Sequence, residues 1–213
     1  MAAAELPAPA GPPPSPPLTV EPFGRLEAGP PPAPPAKRFT IDRERDRLID
    51  GERSVATCRE PIDVEELDRG GRVAVLCGRA RVVEVFDTKT LEKTGSVPAG
   101  IGPTSLATDN VEVLYVIDAL GEALLVYHLR PLEPVRRVHL GGGPYAIAFH
   151  RARWGLWITL NANNQLAYYA AGTRPVLRDT LPSIRDARSV TVDGDLITVS
   201  GQDERQVLRR ASR

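Results

Sequence analysis

From residue 61 onward the apolar residues come in short runs, each broken after a few positions by turn-forming residues. In residues 104–140 the runs are TSLAT, VLYVID, ALLVYHL and VRRVHL, separated by DNVE, ALGE and RPLEP. Runs of this length, rich in Val, Leu, Ile and Tyr and bounded by Gly, Pro, Asn and Asp, predict strands joined by tight turns. No window shows helical periodicity of useful length with capping residues at its ends, and the density of proline and glycine works against helices. The pattern predicts an all-β chain.

The pattern also recurs. GIGPTSLATD at 100–109 and GGGPYAIAFH at 141–150 place Pro103 and Pro144 forty-one residues apart (144 − 103), and VEVFDT at 83–88 returns as LLVYHL at 124–129 and QLAYYAA at 165–171. A period near forty indicates an array of one repeated supersecondary unit. Four strands per unit predict a propeller blade. The glycines at 141–143 then mark a repeat boundary; a phosphate cradle would need a helix after them and a lysine or hydroxyl at fixed spacing. Starts at Pro61, Pro103, Pro144 and near Ala187 predict about four blades, at 61–98, 103–140, 144–182 and 187–210, the last without its outer strand. RFTID at 38–42 could supply that strand and close a small ring. The favoured expectation is instead an open arc, because units of this size shaped for a wider ring would have to change their packing to close at four.

The residues that carry these repeats resemble a known family, the YVTN-type β-propeller repeat, whose unit runs from a Gly-Pro start through a Tyr-Val-Thr-Asn strand to a VxVIDT-like strand. In this chain the four-residue slot reads Ala74-Val75-Leu76-Cys77, Tyr115-Val116-Ile117-Asp118, Trp157-Ile158-Thr159-Leu160 and Ile197-Thr198-Val199-Ser200, and Val82 through Pro103 follows the later strand closely. The resemblance covers about 61–210. It implies rings of seven blades, which this chain is too short to build, so a second copy or a partner could complete the ring. Propellers serve many roles, so the resemblance speaks to fold more than to function.

The first 36 residues hold thirteen of the 21 prolines. They predict an extended, disordered tether, with a proline-rich docking peptide for an aromatic-lined partner as the alternative. Residues 37–60 read as a charged transition with strand character in RFTID. Acids and bases balance at 27 each, so no global field invites nucleic acid or an anionic membrane. No stretch approaches the roughly 18 apolar residues of a membrane span. The first thirty residues lack the basic start and apolar core of a signal peptide. Either the protein is cytoplasmic, or the chain begins downstream of an export signal.

Cys58 and Cys77 flank the first full repeat's inner strand and the end of the strand paired with it, so a hairpin brings them to one end of the sheet. A disulfide there is reasonable and would point to an extracytoplasmic, oxidising compartment; two buried free thiols are the alternative. His128, His139 and His150 recur every eleven residues, but on the strand map they do not converge, and no metal or other cofactor is expected. Glu65 and Glu66 are adjacent on one strand and should face opposite ways, a poor acid and base pair.

In a propeller, the loops entering the inner strands and those after the second strands share one face. Here that face should carry Arg59, Asp118, Asn161, Asn163 and Arg185, with Tyr145 beside the glycines, as candidate ligand-binding residues, although each could equally be a turn residue. No catalytic motif is present. The leading expectation is a non-catalytic binding or scaffold module for a protein, peptide or envelope partner. The alternative is a propeller hydrolase of the lactonase type, which would need acids converging on the channel where only IDVEEL supplies them.

Overall fold

Because the turns are short, each apolar run pairs antiparallel with its sequence neighbour. The computed structural model describes residues 12, 14–29 and 37–209. A first strand, β1 (Arg25–Ala28), precedes β2 (Phe39–Asp42), β3 (Arg47–Asp50) and β4 (Arg53–Ala56). The repeats follow: β5 (Pro61–Leu67), β6 (Arg72–Cys77), β7 (Val82–Asp87) and β8 (Lys93–Pro98); then β9 (Pro103–Thr108), β10 (Val113–Asp118), β11 (Ala123–Leu129) and β12 (Leu132–His139). The third repeat is β13 (Pro144–His150), β14 (Gly155–Leu160), β15 (Gln165–Ala170) and β16 (Val176–Pro182), and the chain ends in β17 (Ser189–Asp193), β18 (Leu196–Ser200) and β19 (Glu204–Arg209).

Five sheets result, where the sequence predicted about four blades. The added sheet is β2-β3-β4, built from the segment expected to be a charged transition. Every second residue of its hairpins is apolar on one face: Phe39, Ile41, Leu48 and Val55 pack with Val64, Val73, Val75 and Phe86 of the next sheet. Equivalent clusters join the β5–β8 sheet to the β9–β12 sheet, that sheet to β13–β16, and β13–β16 to β17–β19. Among the described residues no such cluster joins the last sheet to the first.

The innermost strands β5, β9, β13 and β17 neighbour one another and all run the same way, from a loop end, where Pro61, Pro103 and Pro144 sit, to a turn end. β2 runs the opposite way. Its Arg38 meets the Thr88 carbonyl at the turn end, whereas Arg43, just past its last residue, meets the Ile62 carbonyl near the loop end. β2 therefore occupies the place of a second strand, and among the described residues the first sheet lacks an innermost one.

RFTID does not complete the last blade, as one expectation had it, because its apolar residues are committed to this first sheet. The outer strand of the last sheet comes from farther upstream. β1 pairs antiparallel with β19, from Arg25 opposite Val207 to Ala28 opposite Glu204. That pairing joins the N-terminal segment to the last strand and departs from the expectation of a last blade without its outer strand. It also departs from the tether expected over 1–36, of which residues 14–29 are described: Ser15 and Pro22 are buried against the ring. The backbone amide of Phe23 donates to the Pro182 carbonyl (3.0 Å) and Gln206 Nε2 donates to the Phe23 carbonyl (2.6 Å). The rest of that segment lies outside the described residues.

Candidate functional site

Four inner strands, with Lys37 and Arg43 flanking β2, surround a central channel of about 1140 Å³. An inner strand leaves one edge of its backbone unpaired, and buried backbone groups need partners. Side chains of the neighbouring sheet supply them here. Lys37 Nζ donates to the Val64 carbonyl (2.8 Å) and Arg43 to the Ile62 carbonyl (2.8 Å). On the other flank of β5, the Asp63 carboxylate accepts the backbone amide of Leu106 (2.9 Å), and the Ser105 hydroxyl accepts that of Ile147 (3.4 Å). Thr104 Oγ1 donates to the Tyr145 carbonyl at 2.6 Å.

Four acids border the channel: Glu60, just before β5, and Asp63, Glu65 and Glu66 on it. Glu65 and Glu66 share this wall although adjacent strand residues alternate, and β5 departs from that alternation, burying Pro61, Val64 and Leu67 with a register shift after Pro61. Burial pushes the Asp63 and Glu65 carboxyls above the usual carboxylate range, with the Lys37 ammonium opposing the shift at both. Burial opposes the Lys37 charge in turn, but Glu65 and Asp63 outweigh it and hold its pKa above the ordinary lysine value. Glu65 and Lys37 are 2.6 Å apart. Asp63 is thus spent on neighbouring amides and Glu65 on a lysine, which leaves neither poised as a general base.

Tyr145 lies in the channel, as a residue beside the glycine loop should. Burial raises its pKa, while Arg188 and Arg43 lower it. These two arginines stand near its hydroxyl from the last and first sheets, giving a polar, cationic mouth.

The other expected ligand residues are at the loop end, but most are engaged within the chain. Asp118 is buried; its Oδ1 accepts the backbone amides of Ile101 (3.0 Å), Gly102 (2.8 Å) and Gly121 (3.1 Å). A side chain on Gly100, at φ +89°, would collide with that carboxylate. Asn161 is buried and donates to the Ala187 carbonyl (3.0 Å), tying one sheet to the next. Asn163 packs its amide over Gly142. Arg59 is exposed at the rim, and its carbonyl accepts the Ala80 amide. Beside it the expected disulfide joins Cys58 to Cys77, with Cα atoms 6.0 Å apart.

Arg185 has a different partner: it donates to the Ser15 carbonyl at 3.0 Å. The Ser15 amide donates to Asp186 Oδ1 (2.8 Å), the Asp186 amide to Ser15 Oγ (2.8 Å), and Asn164 Nδ2 to the Pro16 carbonyl (2.9 Å). The loop end therefore already holds an extended Ser-Pro segment, through its backbone and one buried hydroxyl. Sequence reasoning missed Ser15, Lys37, Asp63, Arg43 and Arg188. A serine interrupting a proline run, and one of only three lysines in the chain, were the available signals.

The histidines do not meet. His150 is buried and accepts the Trp157 indole N–H at 3.2 Å; His128 lies 3.9 Å from Glu112, and His139 is exposed.

No protein-family model matches the sequence, and no curated protein matches it. Solved structures do. One from the mitotic checkpoint complex is similar with a TM-score of 0.69 at 10% identity, over 78% of this chain and 57% of its own. Dihydro-heme d1 dehydrogenase NirN is similar at 0.63 and 17% identity, over 83% of this chain and 44% of its own. The fold is a β-propeller. U3-55K adds a third likeness, at 0.55 and 11% identity, over 65% of this chain and 44% of its own. The propeller thus spans about half the length of these structures, and at such identities the likeness is one of fold.

Proposed function

We propose that this propeller is a non-catalytic binding module of the YVTN-repeat kind, acting outside the cytoplasm on a protein or peptide partner. The observation that carries the reading is the seat of Ser15 and Pro16 on Asn164, Arg185 and Asp186. Three of its four hydrogen bonds go to the backbone of an extended segment, the mode by which peptides are recognised with little demand on sequence. The channel acids favour binding over hydrolysis, since both of the shifted carboxyls already have partners. The Cys58–Cys77 bond fits an oxidising compartment.

A labelled peptide of residues 12–20 tests the reading by fluorescence anisotropy on the full chain. Ser15→Ala loosens the resident arm and is expected to strengthen binding of the added peptide several-fold. Arg185→Ala with Asp186→Ala should remove it. Absence of binding to both the wild-type chain and Ser15→Ala would contradict the proposal.

A further inference from the structure

An arginine stands on each side of the junction between the last sheet and the first: Arg43 just past β2 and Arg188 just before β17. Both border the loop-end mouth of the channel together with Tyr145, the second residue of β13. Arg43 spends a guanidinium N–H on the Ile62 carbonyl (2.8 Å) and Arg188 spends one on Gln202 Oε1 (3.0 Å). Among the described residues, neither guanidinium meets a carboxylate within ion-pair distance. Like charges facing one opening repel each other, and a guanidinium keeps its charge at any physiological pH.

Acids are near these arginines in sequence but are committed elsewhere. Asp42 is paired with Arg45 (2.9 Å), Asp186 accepts the Ser15 amide (2.8 Å), and neither they nor Glu44 border the channel. Of the acids that do border it, Glu60 has its carboxyl beside Gly78, Asp63 accepts the Leu106 amide, Glu65 pairs with Lys37, and Glu66 reaches Gly70 at the turn end. The charges that act on the Tyr145 hydroxyl are accordingly those of Arg188 and Arg43, which oppose the rise caused by burial. The net shift is upward, so the phenol keeps its proton at neutral pH and can donate it in a hydrogen bond.

We infer that the loop-end mouth of the channel is a binding site for a small oxyanion, a carboxylate or phosphate group held by Arg43, Arg188 and the Tyr145 hydroxyl. The planar fork of arginine matches both groups, and charge-assisted hydrogen bonds to them are the strong ones. The site uses none of the residues that seat Ser15, so it goes beyond the peptide-binding reading and does not rest on it. Its three side chains come from the first, fourth and last sheets, which places the anion across the junction that no hydrophobic cluster spans among the described residues. The acids of β5 set the size of the ligand: a polyanion threaded along the channel would run into Asp63, Glu65 and Glu66, whereas a compact anion stops at the mouth.

The test is isothermal titration calorimetry of the full chain with inorganic phosphate and with citrate, against poly-glutamate, all at equal ionic strength. Phosphate or citrate is expected to bind saturably, and the tighter of the two identifies the group the site takes. Tyr145→Phe, which keeps the ring, and Arg188→Met, whose bond to Gln202 is at the surface, should each weaken that binding about tenfold. Circular dichroism checks that both variants fold. Arg185→Ala, at the Ser15 seat, should leave the binding unchanged. The inference is overturned by the absence of saturable binding of either anion, by binding that both Tyr145→Phe and Arg188→Met leave intact, or by poly-glutamate binding as tightly as citrate. Loss of binding in Arg185→Ala alone would move the anion to the Ser15 seat and overturn it as well.

Discussion

Lys37 is the residue on which the channel's electrostatics turn. It answers a carboxylate whose pKa is raised by burial, and the sign of that shift fixes a pH dependence. A carboxyl with a raised folded pKa contributes stability that is fully present below its ordinary range and is lost as pH rises through the raised value. At neutral pH the charged Glu65 is therefore a cost that Lys37 offsets. Lys37→Met is expected to lower stability by about 1 kcal/mol at pH 7, given that both side chains keep some contact with water. The loss should shrink near pH 4, where Glu65 is protonated; chemical denaturation at the two pH values checks it. Asp118→Ala strips the acceptor from three backbone amides, that of Gly102 buried, and should cost about 2 kcal/mol, measured by chemical denaturation. Neither role was legible in the sequence. Asp118 stood out as a loop carboxylate on a shared face, and nothing in its spacing reveals that backbone amides 16 and 17 residues earlier consume it.

Among the elements, the proline period was the most legible feature, because proline at the head of three of the four inner strands pairs with the end of the next strand: Pro61 with Cys77, Pro103 with Asp118, Pro144 with Leu160. The elements outside the period were the ones misjudged. RLEA at 25–28 is four residues in a proline-rich context and acquires strand character only from β19 beside it, a long-range pairing that local propensity does not encode. β2 looked like a free strand because the first sheet carries no Gly-Pro start of its own. The β1–β19 pair is clamped by Glu27, which Arg205 holds below the usual carboxylate range by a hydrogen bond at 2.6 Å. A lowered carboxyl pKa gives stability present above the ordinary glutamate range and lost as pH falls through the lowered value. Acidification below about pH 4 should therefore loosen the arm, read as faster proteolysis near residues 16–22, while Arg205→Ala gives the same cleavage at neutral pH. The disulfide acts on a neighbouring element. Cys58 and Cys77, 19 residues apart, lie where the first sheet hands over to the second, and reduction should cost about 3 kcal/mol, measured as a lowered melting temperature with reductant.

At the scale of the whole molecule, four hydrophobic clusters bind five sheets in sequence, and the remaining junction, last sheet to first, has none among the described residues. The arm's hydrogen bonds go to the last two sheets. β1 completes the last sheet, Ser15 locks onto the loop between the last two sheets, and the chain passes on to β2. The same arrangement frees the channel mouth for partners while occupying one seat at the loop end with the protein's own chain. Docking of the arm on the last two sheets is thus the claim on which the proposed loop-end seat depends. Hydrogen–deuterium exchange of the full chain, followed peptide by peptide, tests it most directly. The amides of residues 25–28 should be protected to the same degree as those of β19 and should lose protection together with them in Arg205→Ala. Exchange of residues 25–28 at the rate of an unstructured chain, with β19 unaffected, would contradict it.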